Sequence, residues 1–171
     1  LYEQPDGRLS IEDTLKYIKQ VAEGLNYLHG KKVVHRDLKP GNIMVTDNGN
    51  VKILDFGIAQ TIKDTMTRVT NMPSTGTLVY MSPEQLHGED LDHRSDIWSL
   101  GVVLYEMITG TLPFNGEYEQ AVMYSITNKE PAPLCDFRTD VSEKIQEIVN
   151  KCLKKNTSDR YQDCKELLAD L

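Results

Sequence analysis

From Ser10 to Leu28 the apolar residues Ile11, Leu15, Ile18, Ala22, Leu25 and Leu28 recur at steps of three and four, which draws one apolar stripe along a helix. Ser10 with Asp13 resembles a capping box in which the acid replaces Glu, and Gly30 suits the helix's stop. The pattern then changes period. Val33-Val34 and Ile43-Met44-Val45 are short β-type runs, and the turn cluster Asp47-Asn48-Gly49-Asn50 hands over to Val51-Lys52-Ile53-Leu54, so a small hairpin is expected after the first helix. Beyond Asp55 the chain is rich in Thr, Met and Asn through Thr75 and has no clear period, as a surface loop would. Helical patterns return at His93 to Thr109, stopped by Gly110, then at Glu117 to Thr127, at Val141 to Leu153, and from Tyr161 to the end. The expected fold is mainly α with one small β element, in one domain without internal repeats.

Composition narrows this picture. A chain of 171 residues with 26% charged and 39% hydrophobic residues has a globular balance, and its length suffices for one hydrophobic core. The net charge of −7 argues against a surface that binds nucleic acid by displacing counterions from many phosphates. Cys135, Cys152 and Cys164 are odd in number and form no CxxC pair, which reads as reduced thiols, and His87 and His93 share no metal spacing. The most apolar stretch, Ile97 to Ile108, is interrupted by Ser99 and Glu106 and is too short to span a bilayer; it reads as a buried helix. No charged-then-apolar leader opens the chain and residue 1 is Leu, so the expectation is a segment that starts inside a larger protein.

The chemistry concentrates in His35-Arg36-Asp37-Leu38-Lys39-Pro40-Gly41-Asn42, where Asp37 precedes Asn42 by five residues in the loop that joins helix to hairpin. That spacing gathers a carboxylate, an ammonium and an amide around one point. Phosphoryl transfer needs such parts: an acceptor that orients the attacking hydroxyl, a ligand for magnesium, and a cation facing the transferred charge. Asp55-Phe56-Gly57, beyond the hairpin, adds a second carboxylate suited to Mg²⁺.

With these motifs the chain resembles the eukaryotic-type serine/threonine protein kinases over essentially all of residues 1–171. The resemblance implies the C-terminal lobe of an α+β kinase domain, beginning near the end of the hinge, with the N-terminal β lobe absent. It implies Asp37 as catalytic base, Lys39 as the contact to the transferring phosphate, and Asn42 and Asp55 as ligands of Mg²⁺ or Mn²⁺ beside ATP. Met44 would touch the adenine from below. Gly76 to Glu84 resembles the end of an activation segment, with Ser82 in the place of the commoner Ala; it implies a substrate-binding loop containing Thr77, Leu78 and Tyr80. Lys39 and Thr77 mark the serine/threonine branch. Structural roles carry over to His35, to Phe56, to Asp96 as an acceptor of backbone N–H groups from the His-Arg-Asp turn, and to Glu84 and Arg160 as an ion pair. The run Tyr80-Met81-Ser82-Pro83-Glu84-Gln85 is closest in style to the bacterial relatives of these kinases.

Arg36 before the catalytic Asp implies control by activation-loop phosphorylation, with Thr65, Thr67, Thr70, Ser74 and Thr75 as candidates and Thr70 and Thr75 preferred. Gln60 stands where many such kinases carry a second basic residue, which would make that control less steep. No Gly-rich phosphate loop and no Val-Ala-x-Lys strand occur, so half of an ATP site is expected outside the sequence, and the isolated chain is expected to be inactive. The implied partners are protein substrates with Ser or Thr and the missing lobe, with no nucleic acid and no membrane segment. The implied location is cytoplasmic, or the cytosolic part of a membrane-anchored kinase. Gly41, where some Arg-directed kinases carry an acid, disfavours strong selection for basic residues before the target, although Glu106 leaves room for it. The competing reading is a pseudokinase-like scaffold, against which the joint presence of Asp37, Lys39, Asn42 and Asp55 counts.

Overall fold

The computed structural model describes residues 9–55 and 75–171, with the side chain of Thr75 left out. Its first element is the amphipathic helix α1, Ile11–Gly30, started by Ser10, whose hydroxyl accepts the Asp13 N–H at 3.0 Å. The Asp13 carboxylate answers by accepting the Ser10 hydroxyl proton at 2.8 Å, so Asp13 closes the cap through the side chain. The stop lies one residue past Gly30. Lys31 caps the helix by donating to the last-turn carbonyls, and the left-handed conformation falls on Lys32 at φ 60°. The chain reverses there, with the Val33 N–H donating to Leu28 O at 3.0 Å, so Val33-Val34 forms a turn exit and not the strand its composition suggests.

Strands β1, Ile43–Val45, and β2, Val51–Ile53, pair antiparallel with Met44 opposite Lys52. Gly49 supplies the positive φ of 74° that their tight connection needs. The hairpin lies against α1. Gln20 accepts the Val51 N–H at 2.9 Å and donates to Gly49 O at 3.1 Å, and Gly24 lets Ile53 approach so closely that a Cβ there would stand 2.9 Å from Ile53 Cδ1.

Two short helices, α2 at Thr75–Leu78 and α3 at Pro83–His87, precede the central helix α4, Arg94–Thr109. Nearly every residue of α4 is buried, as expected for a helix without a wide polar face, and Gly110 ends it at φ 72°. Helices α1 and α6, Glu143–Cys152, pack on α4, and α7, Cys164–Asp170, packs on α1; α5, Glu119–Asn128, meets α2 and α3. Trp98 of α4 stacks on Phe114 with ring centroids 5.4 Å apart. The longer helices match the sequence pattern except at the end, where Tyr161 stays outside α7 and Asp163 caps it, while the short α2 and α3 were not expected.

Helices α4 and α6 approach closely at Gly101. A Cβ on Gly101 would stand 2.5 Å from Cys152 Cβ and 3.1 Å from Leu153 Cδ2. Gly101→Ala would gain about 1 kcal/mol of helix propensity, but forcing the two elements apart costs about 1–3 kcal/mol. The expected result is a lower thermal midpoint in circular dichroism; an unchanged or higher midpoint would contradict this packing. The three cysteines are free thiols, Cys152 and Cys164 buried and Cys135 exposed. No helix among the described residues is long and apolar enough to cross a membrane.

Candidate active site

The loop between α1 and β1 turns on Arg36, whose φ of 70° is unfavourable for a residue with a side chain and persists only where surroundings hold it. The holder is Asp96 in the first turn of α4. Its Oδ1 accepts the Arg36 N–H at 2.8 Å, and its Oδ2 accepts the His35 N–H at 2.8 Å and meets His29 Nε2 at 2.8 Å. Asp96 is buried, so these contacts replace the water it would otherwise bind. Asp96 thus accepts two backbone N–H groups of the His-Arg-Asp turn, and His29 is a further partner that the sequence pattern did not reveal.

His35 is fully buried and its tautomer follows from its neighbours. The Asp37 N–H donates to His35 Nδ1 at 3.3 Å, so the proton sits on Nε2 and is donated to Leu54 O at 3.0 Å. The Leu54 N–H in turn donates to Asn42 O at 2.8 Å. This pair of contacts fixes the exit of β2 beside the loop of residues 35–42 and places Asp55, at φ 51°, one residue beyond.

Around Asp37 three of the expected residues converge. Lys39 Nζ lies 3.0 Å from Asp37 Oδ2 and donates to Thr77 Oγ1 at 2.9 Å. Asn42 Nδ2 donates to Asp37 O at 2.7 Å and to Asp37 Oδ2 at 3.1 Å. Oδ2 takes both side-chain contacts, while Asp37 Oδ1 has no hydrogen-bond partner among the described residues and the side chain is partly exposed. The result is a carboxylate oriented through one oxygen and open through the other.

Because the Asn42 amide nitrogen is spent on Asp37, its Oδ1 is left as a hard oxygen donor, with the Asp55 carboxylate following the paired Leu54. Among the described residues no three His, Cys, Asp or Glu side chains gather as metal ligands. Two protein oxygens without a third acidic ligand suit Mg²⁺, which keeps waters and nucleotide phosphates in its shell, better than an ion that needs an all-protein cage. The residues fit the group the sequence implied.

The remaining expected residues divide between surface and core. Met44 is 43% exposed on the open face of β1, next to buried Ile43, so it stands out of the apolar core that holds Val103 and Met107. Leu78 is only 2% exposed and packs into the core under the segment. Tyr80 donates to Glu106 Oε2 at 2.6 Å, and its carbonyl accepts from Ser99 Oγ at 2.9 Å, which ties the segment to α4. Phe56 and Thr70 lie outside the described residues, as do Gly57, Gln60, Thr65, Thr67 and Ser74; of Thr75 only the backbone, at the start of α2, is described.

Glu84 and Arg160, 76 residues apart, form a bidentate pair, Nη1 to Oε1 and Nη2 to Oε2, both at 2.7 Å. Burial raises the Glu84 carboxyl, but the hydrogen bonds and charge of Arg160, helped by the Ser95 hydroxyl 2.8 Å away, outweigh it and hold the group below its ordinary value.

A carboxylate, an ammonium and an amide thus stand together on one loop that a buried helix clamps. The family model described as the protein kinase domain matches residues 2–170, and the chain belongs to that family. It is 42% identical over 167 residues to the serine/threonine-protein kinase PknB of Mycolicibacterium smegmatis. It is 39% identical over 167 residues to PknB of Mycobacterium tuberculosis, and 39% identical over 171 residues to the probable serine/threonine-protein kinase PknB of Corynebacterium glutamicum. Each match covers 97% of this chain; the chain spans about a quarter of those relatives, 27%, 27% and 26% of their lengths respectively. These relatives agree with the bacterial style of the activation-segment motif.

Proposed function

We propose that these residues form the catalytic-loop lobe of a serine/threonine protein kinase that transfers the γ-phosphoryl group of ATP to Ser and Thr hydroxyls of proteins. The observation that carries this reading is Lys39 Nζ held between Asp37 Oδ2 at 3.0 Å and Thr77 Oγ1 at 2.9 Å, with Asn42 bonded to the same carboxylate. A substrate hydroxyl would donate to the open Asp37 Oδ1, which aims the oxygen for in-line attack and receives the proton as the new P–O bond forms and the bond from the γ-phosphorus to the bridging oxygen breaks, with ADP leaving. The Lys39 ammonium stands next to that point, where it offsets negative charge on the transferred group. Thr77 orients Lys39 and brings the substrate-binding loop to the reacting atoms.

Asn42 Oδ1 and the Asp55 carboxylate would hold Mg²⁺, with Mn²⁺ as a substitute. When bound, the cation would neutralise charge on the ATP phosphates. The adenine would lie over exposed Met44, and the rest of the nucleotide site would come from a second lobe outside these 171 residues. The working location is the cytoplasm, or the cytosolic side of a membrane to which other segments attach the protein.

The test uses the full-length protein with Mg·ATP and a degenerate peptide pool containing Ser, Thr and Tyr. Label is expected on Ser and Thr but not Tyr, falling to background with EDTA and restored by Mg²⁺. Transfer at background throughout, with nucleotide or partner binding intact, would support the scaffold reading. The 171-residue chain alone is expected to transfer no phosphate; robust transfer by it would refute the two-lobe part of the proposal.

A further inference from the structure

Gln85 connects the end of the activation segment to the catalytic turn, and its two ends serve two separate structures. Its Oε1 accepts the Ser82 N–H at 3.0 Å while its own N–H donates to Ser82 Oγ at 3.4 Å, completing the capping box that starts α3. Its Nε2 donates to Arg36 O at 2.8 Å, 49 residues away in sequence. The Arg36 peptide is thus gripped on both sides: its N–H by Asp96 of α4 and its carbonyl by Gln85 of α3. It needs such a grip, because φ at Arg36 is 70° and the next residue is Asp37.

We propose that Gln85 is a positioning residue for Asp37, and that it transmits the state of the activation segment to the catalytic carboxylate through the Arg36 carbonyl. This rests on the reading of Asp37 as catalytic base. When α3 is seated, the Gln85 amide locks the strained turn and Asp37 presents Oδ1 to the substrate. When α3 shifts, the carbonyl loses its donor and the turn can relax towards ordinary φ values, carrying Asp37 away from the hydroxyl. Asp96 cannot replace Gln85, because it holds only the N–H side of the turn. The amide type matters as well: a carboxylate could keep the Ser82 cap but would face the Arg36 carbonyl with a second acceptor.

Gln85→Glu in the intact protein separates these roles. Loss of the one hydrogen bond, worth about 1.4 kcal/mol, corresponds to a fall in kcat of about tenfold. KM for ATP is expected to stay within about twofold, and the thermal midpoint to fall by no more than the roughly 3–6 °C that loss of the one bond costs, because the cap remains. Gln85→Met, which removes cap and link together, is expected to lower both kcat and the midpoint. A Gln85→Glu enzyme with unchanged kcat, or one whose loss of kcat is matched by loss of stability or ATP binding, would overturn the proposal. Hydrogen exchange in the peptide spanning residues 34–38 is read on the same proteins. Faster exchange in Gln85→Glu supports the clamp, and unchanged exchange overturns it. A parent protein no more active than Asp37→Asn would refute the kinase reading instead, leaving the exchange result to decide the role of Gln85.

Discussion

Asp37→Asn in the intact protein is expected to cut phosphoryl transfer to Ser/Thr peptides by about a thousandfold, the middle of the range for a positioned general base, while ATP binding stays near that of the parent. The substitution keeps the shape of the side chain and one acceptor oxygen, so contacts to Lys39 and Asn42 can partly persist. What disappears is the charge that draws the hydroxyl proton and the capacity to accept it. The measurement is single-turnover transfer from labelled ATP, with nucleotide affinity followed separately by calorimetry. A variant that retained a tenth or more of the parental rate would mean that Asp37 is not the base. One that lost ATP binding in parallel would mean that its main task is to hold the loop in shape.

The largest expected effect on stability is at Arg160. Its five hydrogen bonds run to both oxygens of Glu84 and to the carbonyls of Lys154, Arg94 and Lys155, with the side chain fully buried. Arg160→Ala would leave the buried Glu84 carboxylate without its countercharge, at a cost of about 3–5 kcal/mol. For a domain of this size that corresponds to a fall in midpoint on the order of 10 °C. The pair also sets an acid limit. Glu84 is held below its ordinary value of 4.5, so its contribution is present above that pH and is lost as pH falls through the lowered value. Thermal unfolding from pH 3 to 7 should therefore show a steeper acid decline in the parent than in Arg160→Ala. A double change of Glu84 and Arg160 to Leu and Met should destabilise less than Arg160→Ala, because no charge is left buried. If the single variant matches the parent in midpoint, the pair contributes nothing to stability.

What the sequence made legible, and what it hid, follows from the range of the interactions. Helix α1 was readable because its stripe is local and long, and the hairpin because Asn48-Gly49 permits only a few turn types. Asp37, Lys39 and Asn42 were readable because their geometry is set within one short loop. Val33-Val34 misled because β-branched composition says nothing about the chain reversal that Lys32 starts. Gly30 does close helix α1, although the positive φ falls two residues later, on Lys32. Helices α2 and α3 are too short to show a period. His29, Gln20 and Gln85 were hidden because their partners lie 67, 31 and 49 residues away and their own surroundings in sequence are those of ordinary exposed helix positions.

Helix α4 carries the buried side chains that hold the lobe together and, in its first turn, the carboxylate that fixes the catalytic turn. A displacement of the first turn of this helix would act on the turn before Asp37 through the two backbone N–H groups that Asp96 accepts. Interior substitutions in this helix, at Gly101 or Trp98, are therefore expected to disturb the loop that carries Asp37 as well as the heat tolerance of the lobe.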